Sequence, residues 1–485
     1  MERGEDRLFG SVHILSEEDM ERIHDATLEI LAEVGALFED PKAREILEKS
    51  GARVDGDVVR FPAQLVEDSI KAAPEVVILA ARDKEKTIRL GHNRVLFTNG
   101  FGATEVIDFE TQAYRKATVV DLRNLTVICD FLDSIDYVLY QVFPQDIPAQ
   151  LSDVAQSFIL LSYTGKNVHL STQDANYIQE VIALGEIISD RGSMEQPPAY
   201  SLGCCPFSPL KYPLDTTVRL REAVKRNIPF LIVSGAVSGA SAPVTPAGSL
   251  VVQNAEVLAG IVLTQAVSPG TPVVYGSFTS PMDPSTGKQL LGVPELPLIN
   301  SATAQLCKRY KIPFGYGTGG IADSFEPGVQ AGLEKSLTTI LGALGGVEVI
   351  HDGGSGLLGS ARVVSYEQLI LDHELCRMVR HLLKGIEVSD KTLALDTIKK
   401  VGPGGDFLTA EHTVENLREA IYLSPLWDRD REPTPGRRNG LLEKARSKVE
   451  EILKNHKPPP LAQEQVREME KILKNVGLEK LLALI

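Results

Sequence analysis

Residues 313–352, PFGYGTGGIADSFEPGVQAGLEKSLTTILGALGGVEVIHD, decide the fold. A short apolar run (313–318) is followed by a glycine-rich loop, an amphipathic segment (AGLEKSLTTILGALGG) and a second apolar run (347–352). Short apolar runs bounded by glycine read as buried strands, and the longer segment between them has helical period. Two such strands joined through one helix make a parallel βα unit. The unit recurs upstream. Further strand candidates are DYVLYQV (136–142), NVHLST (167–172), AYSLGC (199–204), FLIVSG (230–235) and PVVYGS (272–277). Between them lie IQEVIALGEIIS, DTTVRLREAVKRN, SLVVQNAEVLAGIVLTQAV and LPLINSATAQLCKRYK. Seven strands, with an eighth from VLFTNG or from the region after the last, predict an α/β fold of the (β/α)8 TIM-barrel type. No GxGxxG follows the first strand, which weighs against a dinucleotide-binding sheet.

The flanks read differently. SEEDMERIHDATLEILAEVG is a helix with Ser16 and Asp19 set as a capping box and Gly35 as its stop. DPKAREILEKSG and PAQLVEDSIKAAP are shorter helices around a hairpin at Asp55–Asp57, and GATEVIDFETQAYRKAT is a second hairpin. Two amphipathic helices, separated by KPPP, close the chain. The expected organisation is an N-terminal helical and hairpin cap (1–90), a catalytic barrel (91–432) and a C-terminal helical extension (433–485).

Composition narrows the function. A net charge of −15 spread along 485 residues argues against a phosphate-backbone binder, so no nucleic-acid partner is expected. No secretory-type start and no uninterrupted apolar run of membrane-spanning length is found, and a cytoplasmic protein with no membrane partner is expected. The five cysteines, Cys129, Cys204, Cys205, Cys307 and Cys376, form neither a CxxC pair nor a cluster motif. They read as small packed residues.

In a parallel barrel the chemistry sits at the carboxyl ends of the strands. Those ends are rich in Gly, Ser, Thr and aromatics here, and poor in acid–base pairs. His351 follows a strand and precedes a glycine loop, so it reads as an anchor for a substrate carboxylate or a proton carrier, or else as a buried histidine satisfied by backbone. Asp352 and Asp323 orient it or cap helices. Gly317, Thr318, Gly319 and Gly353 offer backbone N–H groups that can hold an anion. Aromatic residues near strand ends, among them Phe97, Phe101, Phe207, Tyr275, Phe278, Tyr316 and Phe325, can supply an aromatic box for a quaternary ammonium, or pack in the core. Asn99 lies between two of them. Lys166 and Lys335 fall before a strand and inside a helix, not where a Schiff-base lysine belongs. His169, His351 and His373 lack metal-ligand spacing, and no metal site is assigned. No side chain is assigned covalent or acid–base catalysis.

A Gly-Pro-Gly-Gly turn tied to a helix, GPGGDFLTAEHTVENLREAIYLSPLWDR (402–429), has Thr413 placed to cap the helix and Pro425 to end the run. By itself it reads as a clamp. Together with YGTGGIADSFEPGVQAGLEKS (316–336), HDGGSG (351–356), FTNGFGA (97–103) and SLGCCPFSPLKY (201–212), it resembles the trimethylamine methyltransferase family over nearly the whole chain. The resemblance implies methyl transfer from a methylated amine to the cobalt of a corrinoid held by a separate protein, with no tightly bound cofactor, in an anoxic setting and in a homo-oligomer. Trimethylamine enzymes of the family carry pyrrolysine shortly before the helix of the central motif. Here Pro327–Gln330 are ordinary residues. That departure points to the branch acting on quaternary amines such as glycine betaine, with in-line attack by Co(I). Rings would hold the cationic head, while His351 and glycine-loop N–H groups would hold an anionic tail. Two other readings share the barrel: a non-catalytic quaternary-amine binding or sensing protein, and a lyase or isomerase.

Overall fold

The computed structural model describes residues 12–484 except 93, 101, 171–172, 190 and 430–439. Phe101 and the expected 432–433 boundary fall outside the described residues. Eight parallel strands run in chain order: β1 (Leu96–Phe97), β2 (Tyr137–Val138), β3 (Asn167–His169), β4 (Tyr200–Cys204), β5 (Phe230–Ser234), β6 (Val273–Ser277), β7 (Phe314–Gly317) and β8 (Val349–Ile350). A parallel bridge between Thr98 and Tyr137 joins β1 to β2 and closes the barrel. VLFTNG therefore supplies the eighth strand.

A helix follows each strand: α1 (Val119–Phe131), α2 (Ser152–Tyr163), α3 (Ile178–Ser189), α4 (Leu214–Val224), α5 (Pro246–Val267), α6 (Glu295–Tyr310), α7 (Val329–Leu344) and α8 (Tyr366–Leu383). The fold is thus a (β/α)8 TIM barrel. The rhythm of the sequence located α3 to α7. It missed α1, α2 and α8.

The lower, amino-terminal end of the barrel is plugged. A hairpin of Val77–Leu79 and Ile88–Leu90 packs against the inward side chains Leu96, Leu231, Val274 and Val349. Gly91 and His92 donate backbone N–H groups to the Glu348 carboxylate just before β8. The helices at Glu17–Glu33, Pro41–Lys49 and Ala63–Ala72 lie against α5. That explains why α5, long and apolar enough to cross a membrane, is almost wholly buried in the protein. A helix apolar on all sides must be surrounded. The Ser16–Asp19 capping box forms as expected. A buried Asp40–Arg221 ion pair at 2.8 Å, and hydrogen bonds from His24 through Tyr310 to Asn254, tie these helices to the barrel.

Two small sheets stand above the upper end. One joins the expected hairpin Glu105–Ile107/Tyr114–Lys116 to Leu357–Leu358 and Val363–Val364 from the loop after β8, and the other joins strands from the loops after β5 and β6. The C-terminal helices pack on the chain's own barrel: Gly440–Asn455 against α8 and α1, and Gln463–Val476 against α3. His456 reaches Asp130 at 2.8 Å to fix the first of them.

Residues 402–429 are not a clamp over the site. They belong to an arm that follows α8 and carries three short helices, Asp390–Leu393, Leu395–Val401 and Glu411–Ala420, none with a buried side chain. Gly402 and Gly404 do adopt positive φ. The last helix starts at Glu411, a turn-length earlier than the Thr413 cap implied, because the amides of Thr413 and Val414 already bond to Ala410 O.

Candidate active site at the barrel mouth

The mouth is shaped first by a β-bulge. Tyr275 pairs with Phe314 but Gly276 pairs with Tyr316, so Gly315 is an extra residue in β7. The bulge sends Phe314 outward, edge-on to Tyr275 at 6.2 Å, and turns Tyr316 into the barrel. A side chain at 315 would collide with Val274 and approach Leu90, so only glycine fits.

Tyr316 stacks on His351, ring centroids 3.3 Å apart and 20° from parallel. Phe278 meets Tyr316 edge-on at 6.5 Å. After burial, the groups that push the Tyr316 phenol well above its ordinary pKa are Asp352, Cys205, Tyr140 and Tyr137. The surroundings of this ring are therefore aromatic and acidic. His169, at the end of β3, contacts the Ser201 hydroxyl at 3.0 Å. Burial, then repulsion from His351, holds its pKa down to about 3, so it is uncharged at neutral pH. Gly203 lets it lean inward, since a Cβ there would sit 3.0 Å from the imidazole. Cys205 presents surface to solvent, yet burial pushes its thiol up to about 11.

His351 has no exposed surface. The structure places this expected anchor behind Tyr316, oriented by Asp352 through Nδ1 and Oδ1 at 3.1 Å. Gly100, at φ 71°, makes room for the Asp352 carboxylate, where any Cβ would collide with it. Thr98 Oγ1 and Gly100 N both donate to the His351 carbonyl. The FTNGFGA segment thus serves the His351–Asp352 corner.

Other expected residues take different places. Phe97 is fully buried behind the barrel wall with the Arg380 guanidinium over its ring at 5.4 Å, because β1 alternates and Leu96 takes the inward face. Asn99 stitches β1 to β2, its amide bonding Leu139 N and O at 2.7 and 2.8 Å. Asp323 does not orient His351; it accepts from Leu291 N, Gly292 N and Ser360 Oγ and holds the loop after β6. Four of the loop N–H groups that could hold an anion bond within the chain instead. Thr318 N bonds Ser277 O, Gly320 N bonds Thr338 Oγ1, Gly353 N bonds Ile350 O and Gly354 N bonds Thr98 O. Gly317 spends its carbonyl on His351 N. Gly319 and Gly353 are small because Ile350 and Phe97 press against them. Phe207 and Phe325 are exposed on the rim, Phe325 under Lys288 at 4.7 Å.

Sequence reading overlooked Tyr140 and weighed His169 only as a metal ligand, although both lie in strands it had located. It also missed the pairing of groups beneath the mouth. Lys335 of α7 and Asp372 of α8 form a fully buried pair at 2.8 Å. Lys335 Nζ also donates to Gly320 O, and Asp372 accepts from Gly356 N at 2.8 Å and from Gln368. Burial raises the Asp372 pKa. One ion pair thus holds the loops after β7 and β8 together. Glu256 of α5 plays the same part for the loop after β4, accepting from Ser208 Oγ, Leu210 N and Ser234 Oγ.

The profile of the trimethylamine methyltransferase (MTTB) family matches residues 3–475. The trimethylamine methyltransferase MttB of Desulfitobacterium hafniense is 36% identical over 92% of this chain and 90% of its own. A glycine betaine methyltransferase from another strain of that species is 31% identical over 98% and 99%. The solved monomethylamine methyltransferase MtmB of Methanosarcina barkeri superposes with a TM-score of 0.51 at 12% identity, covering 98% of this chain and 89% of that one, which speaks to the fold alone. With a matching profile from end to end and relatives this similar over nearly their full length, the chain belongs to the trimethylamine methyltransferase family.

Proposed function

We propose that this protein transfers a methyl group from a quaternary ammonium compound of the betaine type to the Co(I) of a corrinoid carried by a separate protein. The observation that carries this reading is the cluster of rings around Tyr316 at the barrel mouth. Tyr316, Phe278 and Tyr140 offer aromatic surfaces, Asp352 adds an acid close by, and His169 remains neutral. Such surroundings attract a fixed cation, each ring face contributing about 0.5–2 kcal/mol.

A quaternary nitrogen leaves as a neutral tertiary amine when it loses a methyl group, so the step asks no proton of the protein. Pro327–Gln330, which head α7, provide no electrophile to activate a tertiary amine, and Val329 points to solvent, 83% exposed. The corrinoid supplies the nucleophile. What this chain contributes is position and exclusion of water: the β7 bulge aims Tyr316, His351 stiffens it, and Lys335–Asp372 fixes the loops around it. The tail helices pack on the flank of the barrel, against α8, α1 and α3. Since the N–H groups of Thr318, Gly320, Gly353 and Gly354 are committed internally, recognition rests on the cationic head more than on an anionic tail.

The test incubates the protein with reduced corrinoid and a panel of glycine betaine, proline betaine, carnitine, choline and the three methylamines, following loss of the Co(I) absorbance. Turnover of at least one quaternary compound, with trimethylamine inert, is the expected result. Trimethylamine as the preferred donor would overturn the quaternary assignment. Tight betaine binding without turnover would convert the protein into a binding or sensing relative.

A further inference from the structure

The β7 bulge that turns Tyr316 into the barrel strands a backbone group. Gly315, its extra residue, pairs with no residue in β6 or β8. A bulge leaves such a residue outside the ladder, and a carbonyl buried there needs a donor from elsewhere. The donor is Tyr137 of β2, whose hydroxyl reaches Gly315 O at 3.0 Å. β2 and β7 are not neighbours. β1 and β8 stand between them, so the phenol crosses the interior of the barrel, where it packs with Leu231, Val274, Tyr316 and Val349.

Packing alone does not ask for this hydroxyl. Tyr137 is fully buried, and a phenylalanine ring would fill the same space. A buried phenol is costly unless its proton is bonded, and this one is bonded to the bulge. Burial first, then Asp352, Asp136 and Glu348, push its pKa well above the ordinary value, so the proton stays on the oxygen and the bond keeps one direction. The bulge is gripped at the preceding residue as well, since the Phe314 N–H bonds the Glu348 carboxylate.

We propose that Tyr137 is a positioning residue: its hydroxyl holds Gly315 in the bulge and thereby keeps the Tyr316 ring turned inward on His351, where the quaternary head is recognised. In a regular strand Phe314 and Tyr316 would share one face, and a shift of one residue exchanges the faces of all that follow. Glycine at 315 permits the bulge, because Val274 and Leu90 leave no room for a side chain. The bond from Tyr137 selects the bulge over the regular strand. The inference rests on the proposed methyl transfer from a quaternary amine, in which Tyr137 acts only through Tyr316.

The test compares full-length Tyr137→Phe with the wild type in two ways. The substitution removes one oxygen and leaves the ring, and thermal unfolding verifies that the variant is folded. The first readout needs no substrate. In a spectrum of the protein labelled with 13C-histidine, the His351 ring signal is the one missing from His351→Gln, and the Tyr316 ring lying over the imidazole shields it. Tyr137→Phe should move that signal downfield. A protein carrying p-aminophenylalanine at position 137, which returns an N–H donor to the same point, should bring it back. The second readout is kinetic, with the best donor among glycine betaine, proline betaine, carnitine and choline. Tyr137→Phe should raise KM about fivefold and leave kcat within about twofold, since a displaced ring weakens binding of ground and transition states alike. Added to Tyr316→Ala, it should cost nothing further, because both changes act on one ring. A hydroxyl that only stabilised the barrel would lower the unfolding free energy, leave the His351 signal in place and add its effect to that of Tyr316→Ala. An unmoved signal, or independent kinetic effects of the two substitutions, overturns the proposal. A moved signal with none of the four donors turned over overturns the proposed reaction and leaves the role of Tyr137 in the bulge standing.

Discussion

Strand β8 has an acid at each end, Glu348 before it and Asp352 after it, and the barrel uses the two in opposite ways. Glu348 faces the plug. Its carboxylate takes N–H groups from Gly91 and His92, and burial lifts its pKa to about 7. Asp352 faces the mouth, where it aligns His351 behind Tyr316. The lower acid joins a hairpin to the barrel floor; the upper one belongs to the stacked His351–Tyr316 corner. Position along one short strand thus separates a sealing role from a place at the candidate site, as the carboxyl-end rule for parallel barrels leads one to expect.

The largest effect that would break this contrast is at Lys335. Replacing it by Met strands the Asp372 carboxylate in a fully buried site, at a cost of about 3–5 kcal/mol. The loops after β7 and β8 lose their common tie at the same time, since Gly320 O and Gly356 N both bond to this pair. Denaturant unfolding of Lys335→Met should show a loss of that size, and the double replacement Lys335→Met/Asp372→Leu should recover most of it. A single variant as stable as the wild type would mean that the mouth does not depend on the pair.

Next comes the plugged end. The folded pKa of Glu348 lies above its ordinary 4.5, so the folded protein holds this proton more tightly than the unfolded chain. The stability tied to the proton is present below about pH 4.5, declines as pH rises, and is gone above about 7. At about 1.4 kcal/mol per pKa unit, the loss is on the order of 3 kcal/mol. Glu348→Gln keeps an acceptor for Gly91 and cannot ionise. Its unfolding free energy should therefore fall less between pH 5 and pH 8 than that of the wild type. Parallel profiles for the two proteins would assign the pH dependence elsewhere.

The two ends were not equally legible in the sequence. Strand–helix spacing was enough for the barrel, because each apolar run is short and five of the eight intervening helices, α3 to α7, stood out between them. The hairpin at 77–90 that plugs the floor escaped notice, since eight residues without a glycine (80–87) separate its short strands and only its position in space distinguishes it from a loop. At the mouth, His351, Asp352 and Tyr316 were legible as residues beyond a strand, but their mutual geometry was not. Strand alternation alone assigns Phe314 and Tyr316 to the same face, and the bulge at Gly315 separates them. Phe97 and Asn99 looked like site residues because they share a motif with Gly100. Only the glycine touches the site, and the other two hold the wall. Lys335 and Asp372 lie 37 residues apart on different helices, so no local pattern could have paired them.

The smallest effect is also the most specific to the cluster of rings. Tyr316→Phe keeps the ring, its stacking on His351 and its edge contact with Phe278, and removes only a phenol that burial already keeps protonated. Tyr316→Ala removes the face itself. If a quaternary head sits against that ring, loss of one contact of about 1.4 kcal/mol lowers kcat/KM about tenfold for betaines, while the Phe variant stays within about twofold of the wild type. The alanine variant also opens a cavity, so its unfolding is measured alongside to confirm that the protein assayed is folded. The informative quantity is the Phe-to-Ala ratio for a charged quaternary donor against that for an uncharged isostere used as a competitive inhibitor. A cation held by the ring makes the ratio large only for the charged compound. Equal ratios would reduce Tyr316 to packing and leave the upper end of β8 no more chemical than the lower.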